Sequence, residues 1–599
     1  MHKITITSKR VWRYIRNYRL KFIIAMLAVV LMTVAQAVLP FISGLATTEL
    51  AGDVAGMVRS HGATGINFDY IGKIALLYFA VGSLQAVGQF VGNFLMAEVV
   101  QGAMHDLRHD ISKKTNKIPV SYFDGHQLGD VLSRITNDVD AVSNALQQAI
   151  IQGVTSILTV IFTFVAMFTL NWKLALIVLA AISLSVFIAR RLIAYSQPIF
   201  QNQQNALGAL FAYIQEQLSG STEIKAYNKQ SDTIKGFEER NNTLRNYGFK
   251  SGFFSSILQP CSTVMFNSAY ALTTLFGGLS VLNGNFTIGN LQAFVIYIME
   301  INGPMNALTQ LTGIIQSAFS GTARIFAYLD EEEEPQATIS DELPEKVHGK
   351  VEFDHVKFGY DPENVLMDDI SFTIEPGQTA AIVGPTGAGK TTLINLLMRF
   401  YDVLDGEIRI DGVNIKNISR HDLREHMGMV LQDAWLYTDT VSENIRFGNL
   451  DADEYEIVDA AKIANVHKFI TTLPNTYDME INEEGNNVSQ GQKQLITIAR
   501  AVISDPDILI LDEATSSVDT RLEQLIQEAM DRVMEGRTSF VIAHRLSTIK
   551  NADVILVMQN GTIIEHGTHD ELMAADGFYA DLYNSQFNQD QPADIHMSY

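Results

Sequence analysis

The stretch TAAIVGPTGAGKTTLINLLMRF, from Thr379 to Phe400, decides the fold of the second half of the chain. It reads as an apolar strand, a glycine-rich loop and a helix, and Gly384, Gly389, Lys390 and Thr391 match the spacing G-x-x-x-x-G-K-[ST]. In such a phosphate-binding loop (P-loop), backbone N–H groups surround the phosphates, the lysine reaches the β- and γ-phosphates, and the hydroxyl ligates Mg²⁺. The stretch therefore predicts an α/β P-loop ATPase domain.

A second acidic element lies in DPDILILDEATSSVD, from Asp505 to Asp519. An apolar strand at Ile508–Leu511 ends in two carboxylates. We expect Asp512 to hold Mg²⁺ through water and Glu513 to polarise the attacking water. An acidic pair at a strand end can also cap a helix, but the P-loop upstream favours the catalytic interpretation. A further strand, TSFVIAH, ends in His544 on the same sheet, where contact with phosphate is expected.

A third element is EEGNNVSQGQKQLITIARA, from Glu483 to Ala501. A polar turn leads through Ser489 into an apolar-periodic helix. Free N–H groups and the helix dipole make such a helix start an anion site. These residues alone leave open whether the anion is held by this chain or by another.

The first half of the chain has a different composition, with long apolar runs almost free of charge. A helix needs ~20 mainly apolar residues to cross the hydrocarbon core of a bilayer. The segments that qualify predict an α-helical polytopic membrane domain with six transmembrane helices, at 22–46, 71–97, 151–170, 172–195, 255–283 and 287–311.

The orientation of these spans follows from residues 1–21, which carry several Lys and Arg and no acid and so place the N-terminus in the cytoplasm. This segment is predicted to lie along the inner interface as an elbow helix. Six crossings return the chain to the cytoplasm. The two intracellular connections, 98–150 and 196–254, are predicted to be helices that continue beyond the bilayer. Tyr122 and Phe123, at the tip of the first, are expected to dock onto another domain, with local packing of the helical hairpin as the alternative.

Charge and cysteine content exclude other classes of protein. The net charge of −23 argues against nucleic acid as a partner. A single cysteine, Cys261, excludes an internal disulfide and a cysteine-based zinc site, and its apolar surroundings predict a small core residue.

Taken together, these motifs resemble those of ATP-binding cassette (ABC) exporters of the half-transporter type, over essentially the whole chain. SQGQKQLITIARA is similar to the signature helix of that family, VLQDAWLYTDTVSENIRFG to its glutamine loop, and HRLSTI to its histidine switch. YFDGHQLGDVLSRITNDVD, Tyr122–Asp140, is similar to the first intracellular loop of the exporters.

The resemblance implies a role for each matching residue. Tyr360 stacks on adenine, Gln432 senses the γ-phosphate and touches Mg²⁺, His544 contacts the γ-phosphate, and Glu513 is the catalytic base. Asp519 closes the loop after the catalytic strand, and Glu483 takes the place of an acid that touches the intracellular loops. The remaining residues expected to bind ATP are those of the P-loop and of the signature: Pro385, Thr386, Gly387, Ala388, Thr392, Ser489, Gln490, Gly491 and Gln492.

The family's fold also implies a dimer, in which each ATP lies between the P-loop of one chain and the signature helix of the other. The usual signature LSGGQ is here Val488–Gln492, with Gln490 at its third position. Neutral drift is one explanation. The other is that the chain helps to build a weakened second site, because in heterodimeric bacterial exporters the chain with the catalytic Glu often carries the altered signature. We therefore expect one half of a heterodimer, with homodimerisation as the alternative.

The function expected from this resemblance is ATP-driven, multidrug-type export of hydrophobic or amphipathic compounds across the cytoplasmic membrane by alternating access. The alternatives are a lipid flippase and an ATP-gated channel or regulatory subunit. Expected partners are a second half-transporter and membrane lipids. Glu300, deep in the sixth span, is expected either to hold the helix or to contact a cationic substrate.

The expected domain boundaries are an N-terminal elbow segment (1–21), a transmembrane domain (22–325), a linker (326–348), a nucleotide-binding domain (349–585) and a flexible tail (586–599).

Overall fold

The computed structural model describes residues 2–59, 61, 65–335, 341–344, 346–432, 434–482, 487–512, 520–542 and 546–587. These residues form two compact units. The first combines 1–116 with 127–331, and the second combines 117–126 with 332–599.

The first unit is helical, because its apolar runs carry no strand periodicity and few breakers. Along the chain up to residue 329, the helices are α1 (His2–Arg16), α2 (Arg19–Arg59), α3 (Phe68–Thr115), α4 (Val120–Asp124), α5 (Leu128–Ser133), α6 (Val139–Gln148), α7 (Val154–Leu170), α8 (Trp172–Ser219), α9 (Ser221–Ala226), α10 (Gln230–Leu282) and α11 (Ile288–Leu329). Of these, α4 belongs to the second unit. The π-helical turns Arg134–Asp138 and Ala149–Gly153 flank α6.

Five helical stretches of the described residues are long and apolar enough to cross a membrane: Arg19–Arg59, Phe68–Thr115, Leu128–Leu170, Trp172–Ser219 and Thr263–Leu282. They contain the first four predicted spans and most of the fifth. The sixth predicted span, 287–311, lies within α11, which continues through Pro304 without a break. The expectation that helices extend beyond the bilayer is confirmed by the lengths of α3, α8 and α10. The expected end of the transmembrane domain is residue 325, whereas α11 continues to Leu329. The expected end of the nucleotide-binding domain is residue 585, whereas α21 (Phe578–Phe587) continues to Phe587. Cys261, expected in a core, is only half-buried.

Helices α2 and α11 approach each other closely at a pair of glycines, Gly44 and Gly289. A Cβ placed on Gly289 would lie 1.7 Å from the carbonyl oxygen of Gly44 and 2.3 Å from the hydroxyl of Thr48. Further along the same pair, the Tyr297 hydroxyl donates a hydrogen bond of 2.6 Å to the carbonyl of Ala37. Glycine at both positions is therefore a packing requirement.

The second unit is α/β, because short β-rich runs alternate with helices after residue 350. Its strands are β1 (Val351–Phe358), β2 (Met367–Ile374), β3 (Thr379–Val383), β4 (Asp405–Ile410), β5 (Val413–Asn414), β6 (Met427–Val430), β7 (Ile508–Asp512), β8 (Thr538–Ile542), β9 (Val554–Gln559) and β10 (Thr562–Gly567). Its helices after α4 are α12 (Lys390–Leu397), α13 (Arg420–Glu425), α14 (Val441–Arg446), α15 (Glu454–Ile463), α16 (His467–Ile470), α17 (Gln490–Ile503), α18 (Thr520–Met534), α19 (Leu546–Asn551), α20 (His569–Ala574) and α21 (Phe578–Phe587).

These strands form two sheets. The antiparallel sheet has the order β2-β1-β4-β5, and the larger one has the order β10-β9-β3-β8-β7-β6, parallel from β9 to β6. One apolar core packs β1, β2 and β4 against α12 and one face of the larger sheet. A second core packs the opposite face against α15, α17 and α18. Since the carboxyl ends of parallel strands share one edge, the residues that follow β3, β6, β7 and β8 are brought to the same side of the sheet.

Candidate functional site

The P-loop has the predicted strand–loop–helix geometry between β3 and α12. Gly389 has a φ of 103° and precedes the first helical residue. A Cβ on Gly384 would lie 2.2 Å from the carbonyl oxygen of Met558 on β9. Both positions therefore need glycine, one for its backbone angle and one for a close approach. The loop leaves the N-terminal N–H groups of α12 at the edge of the sheet, where they can bind phosphate.

Lys390 and Asp512 belong to one electrostatic environment. The Lys390 ammonium donates to the carbonyls of Gly384 (2.7 Å) and Pro385 (3.1 Å). Burial lowers the pKa of Lys390, and the Asp512 carboxylate at the end of β7 opposes that shift. The strand β8 separates β3 from β7 in the sheet, as expected for a P-loop lysine that faces an acid across a nucleotide.

Oxygen ligands for a hard divalent cation lie on three elements of this edge. Thr391 is exposed on the first turn of α12, Gln432 is exposed two residues after β6, and Asp512 ends β7. Hydroxyl, amide and carboxylate oxygens are ligands that Mg²⁺ accepts, so the residues present fit that ion. Among the other predicted loop residues, Pro385, Thr386 and Gly387 are exposed and Ala388 is buried.

Tyr360, predicted to stack on adenine, follows β1 and is half exposed. Its hydroxyl lies 3.1 Å from the hydroxyl of Thr392, behind the P-loop. Its ring contacts Tyr401 edge-on, at 5.0 Å between centroids. Because Tyr360 is about half exposed, part of its ring can be reached by a planar ligand.

Tyr401, which the motif analysis missed, links this aromatic cluster to the tip segment, Lys117–His126. The Tyr401 hydroxyl donates to the Asp124 carboxylate. Burial and this hydrogen bond raise the pKa of Tyr401, so the hydroxyl remains a donor at neutral pH. The rings of Tyr122 and His126 stack at 4.1 Å, and Tyr122 is buried. The tip segment thus packs within the second unit, which confirms the docking expected for it.

The signature helix α17 begins at Gln490, as expected. Ser489 caps it, and its hydroxyl accepts from the N–H of Gln492 while the Gln492 side chain accepts from the N–H of Ser489. This capping box occupies two N–H groups. Those of Gln490 and Gly491 remain at the helix start, and the Gln490 side chain is exposed.

Arg500, also missed, fastens α17 to α14. It donates to the backbone carbonyl of Asn444 at 2.9 Å and to its side-chain oxygen at 3.1 Å, and it lies 5.1 Å from the ring centroid of Phe447. Burial lowers the pKa of Arg500. No short motif points to this residue, because its partners lie more than fifty positions away.

Several predicted residues lie outside the described part of the chain. These are Glu513, Asp519, His544 and Glu483. The strands that lead to Glu513 and His544 begin at Ile508 and Thr538, as the sequence predicts, and they are described up to Asp512 and Ile542.

Glu300 lies in the middle of α11 and is half-buried. Its Oε2 is buried and has no hydrogen-bond partner among the described residues. The nearby Tyr297 hydroxyl is already bonded to Ala37. An uncompensated carboxylate at this depth is costly, so the atom is a candidate for contact with a ligand.

Comparison with known protein families gives two matches. The model described as ABC transporter transmembrane region matches residues 22–305, and the model described as ABC transporter matches residues 367–516.

Curated relatives match both halves of the chain. A fatty acid ABC transporter ATP-binding/permease protein of Mycobacterium tuberculosis is 45% identical over 515 residues, 86% of this chain and 81% of the relative. An ATP-dependent lipid A-core flippase of Pseudomonas aeruginosa is 36% identical, over 87% of this chain and 86% of its own. Among solved structures, a bacterial Atm1-family ABC exporter with ATP bound matches with a TM-score of 0.75 and 28% identity, over 96% of this chain and 99% of that one.

Proposed function

The chain belongs to the ABC transporter family, as an ATP-hydrolysing, multi-pass membrane exporter with a cytoplasmic ATPase domain, and we propose that its cargo is an amphipathic molecule with an acyl chain. The observation that carries this proposal is the 45% identity with a relative named for fatty acids, which extends over 86% of this chain. A further relative is named as a lipid flippase. These names favour lipid-like cargo over the broader multidrug range.

We propose the following roles in the ATP cycle. Lys390 and the P-loop N–H groups bind the phosphates of ATP, and Tyr360 stacks on adenine. Thr391, Gln432 and Asp512 supply oxygen ligands to Mg²⁺, which neutralises phosphate charge when bound. Glu513 activates water and His544 contacts the γ-phosphate. The placement of Lys390 beside Asp512 supports these roles.

We further propose that the chain is one half of a heterodimer with two unequal ATP sites. The exposed Gln490 side chain, at the start of α17, supports this proposal. In a head-to-tail pair, this side chain would face the P-loop of the partner and disturb the γ-phosphate there. The site built on Lys390 and Asp512 would meet the partner's signature and be the hydrolytic one.

A second cargo class, cationic amphiphiles, is favoured by one observation: the Oε2 of Glu300 is buried and has no hydrogen-bond partner in the part of the chain that the structure describes. A positively charged ligand would stabilise this buried carboxylate oxygen. The carboxylate of an acyl anion would not be stabilised by the Glu300 carboxylate.

Transport assays on purified protein in lipid vesicles separate the two cargo classes. We expect a fluorescent long-chain fatty acid to be moved in an ATP-dependent manner and to stimulate ATP hydrolysis. Glu300→Gln should leave that transport unchanged if the cargo is an acyl anion, and it should reduce transport of a cationic dye if the cargo is a cation. Failure of fatty acids both to stimulate hydrolysis and to be moved would refute the acyl-cargo proposal.

Oligomeric state is tested by purifying the chain alone. We expect weak ATP hydrolysis that recovers on co-expression with a half-transporter that lacks the catalytic Glu. A stable homodimer with vigorous, cargo-stimulated hydrolysis would refute the heterodimer. In the co-expressed pair, Gln490→Gly should raise ATP turnover at the second site. Gln527→Gly, on α18, is the control for replacing a Gln by Gly.

A further inference from the structure

An apolar cavity of about 250 Å³ opens beside α1, between that helix, α6 and α11. Ile15, Val142 and Ala145 are almost completely buried in its wall. Trp12 and Phe319 also line it. An apolar cavity of about 150 Å³ is enough to bind benzene, so this one has room for part of a hydrocarbon chain.

The cavity offers nothing to a polar ligand. Among the lining residues that the structure describes, Thr322 is the only one with a polar side chain apart from the indole of Trp12. The Thr322 hydroxyl already donates to the carbonyl of Ala318 at 2.6 Å. Whatever part of a ligand enters must therefore be apolar, because a polar group would lose its hydration without replacement.

A cationic stripe borders the cavity on α1. Lys9, Arg13 and Arg16 are spaced at i, i+4 and i+7, so they share one side of the helix, and all three are exposed. No ion pair is formed by them within the described residues. Arg10, by contrast, is held by Asp330 at 2.5 and 2.8 Å and lies over the ring of Phe326.

The opposite side of α1 is fixed to α3. The Tyr14 hydroxyl donates to Asp110 at 2.8 Å, and the Asn17 side chain donates to Asp106 at 3.3 Å. These bonds and the Arg10–Asp330 pair hold α1 in place. The cavity wall is therefore built on a fixed helix whose cations are presented beside an apolar opening.

The cavity lies on the cytoplasmic side of the third and sixth predicted spans, 151–170 and 287–311. Val142 and Ala145 precede the third span, and Phe319 and Thr322 follow the sixth. Because the N-terminal segment is predicted to lie along the inner interface, we expect the head group of an anionic amphiphile in the cytoplasmic leaflet to lie at the level of α1, with its chain within reach of the opening.

We propose that this cavity is a loading site for a single-chain anionic amphiphile, a fatty acid, whose hydrocarbon end enters beside Trp12 and whose carboxylate binds the stripe of Lys9, Arg13 and Arg16. The proposal rests on the acyl cargo inferred above. The cavity accommodates part of one chain, and the stripe supplies the charge that a carboxylate needs.

Trp12 is a built-in reporter for this site. The chain has three tryptophans, and Trp172 and Trp435 can be replaced by Phe so that Trp12 is the only tryptophan left in this chain. The probe is a dibrominated fatty acid added to the full-length dimeric transporter in nanodiscs, because bromine quenches an indole that it touches. We expect saturable quenching of Trp12.

Two variants test the two halves of the site. Ala318→Phe fills the cavity and should abolish saturable quenching, whereas Ala323→Phe, on the exposed side of the same helix, should not. Replacing Arg13 and Arg16 by Gln should raise the fatty acid concentration that gives half-maximal quenching about fivefold for each charge removed. Arg245→Gln, an exposed arginine on α10, is the matched control.

The outcomes separate this site from the cargo proposal. If fatty acids stimulate ATP hydrolysis and are transported but do not quench Trp12 saturably, the loading site is refuted and the cargo stands. Quenching that is equal for a brominated two-chain anionic phospholipid would also refute it, since the cavity would then hold a structural lipid. Saturable quenching without any fatty acid stimulation or transport would refute both the cargo and the loading role. Loss of fatty acid transport in Ala318→Phe, with basal ATP hydrolysis unchanged, would support the loading site.

Discussion

Replacing Tyr401 by Phe removes one hydroxyl from the contact between the tip segment and the aromatic cluster around Tyr360. The ring remains, so the packing against Phe358 and Tyr360, at 5.7 and 5.0 Å between centroids, is preserved. What is lost is a hydrogen bond to the Asp124 carboxylate. Bonds to charged groups contribute about 1.5–3 kcal/mol when shielded. Because Asp124 is exposed and can be rehydrated, we take about 1 kcal/mol, which is about fivefold in an equilibrium.

The fivefold change is expected in the response to cargo and not in ATP affinity. Tyr360 and the P-loop are untouched, so the concentration of ATP that gives half-maximal hydrolysis should stay the same. Cargo-stimulated hydrolysis, which depends on the tip segment following the ATPase domain, should fall about fivefold. The assay is ATP hydrolysis in nanodiscs with and without cargo.

A double-mutant cycle with Asp124→Ala isolates the pair, since the combined change should be no worse than either single one. Tyr477→Phe is the control, because it removes a comparable hydroxyl contact of 2.8 Å to His467 far from the tip segment. Additive losses in the cycle, or an equal loss in the control, would refute the reasoning.

Three other outcomes are expected. Glu513→Gln should abolish most hydrolysis and leave ATP binding intact, and near-normal turnover would remove Glu513 from the role of base. Gly389→Ala should weaken ATP binding, because the left-handed backbone costs about 1–2 kcal/mol with a side chain and the added Cβ meets Met367 at 3.0 Å; unchanged nucleotide affinity by titration calorimetry would contradict this. The hydrogen bond to Asp369 raises the pKa of His355 above its usual value, so the pair stabilises the fold at pH values below the unfolded pKa and loses that contribution as the pH rises through the folded pKa; NMR titration should show a raised pKa that falls towards its usual value in Asp369→Asn, where Asp354 still raises it.

The sequence predicts best what local spacing determines. The strands β3, β7 and β8 and the start of α17 lie where the motifs place them, because a P-loop, a buried acidic strand and a capped helix each specify their own geometry over a few residues. The motif predicts Gly384 and Gly389 for the same reason. The structure adds why each position needs glycine: Gly384 for a close approach to another backbone and Gly389 for its backbone angle.

Contacts between distant parts of the chain could not be predicted in this way. Tyr401 and Arg500 are ordinary residues in their own segments, and their roles depend on Asp124 and Asn444, which only the tertiary fold brings near. The π-helical turns on either side of α6 likewise have no signal in the hydrophobic pattern, since one extra residue per turn leaves composition unchanged.

The crossing of α2 and α11 at Gly44 and Gly289 has a consequence for how the membrane domain can rearrange. Interdigitated side chains can slip past one another by changing rotamers, whereas here the backbones of Gly44 and Gly289 meet directly, beside the Thr48 hydroxyl. Together with the hydrogen bond from Tyr297 to Ala37, this crossing couples the first and last spans, and we expect them to move as one body. We therefore expect a cargo pathway to the outside to open between this pair and the other spans, and not between α2 and α11.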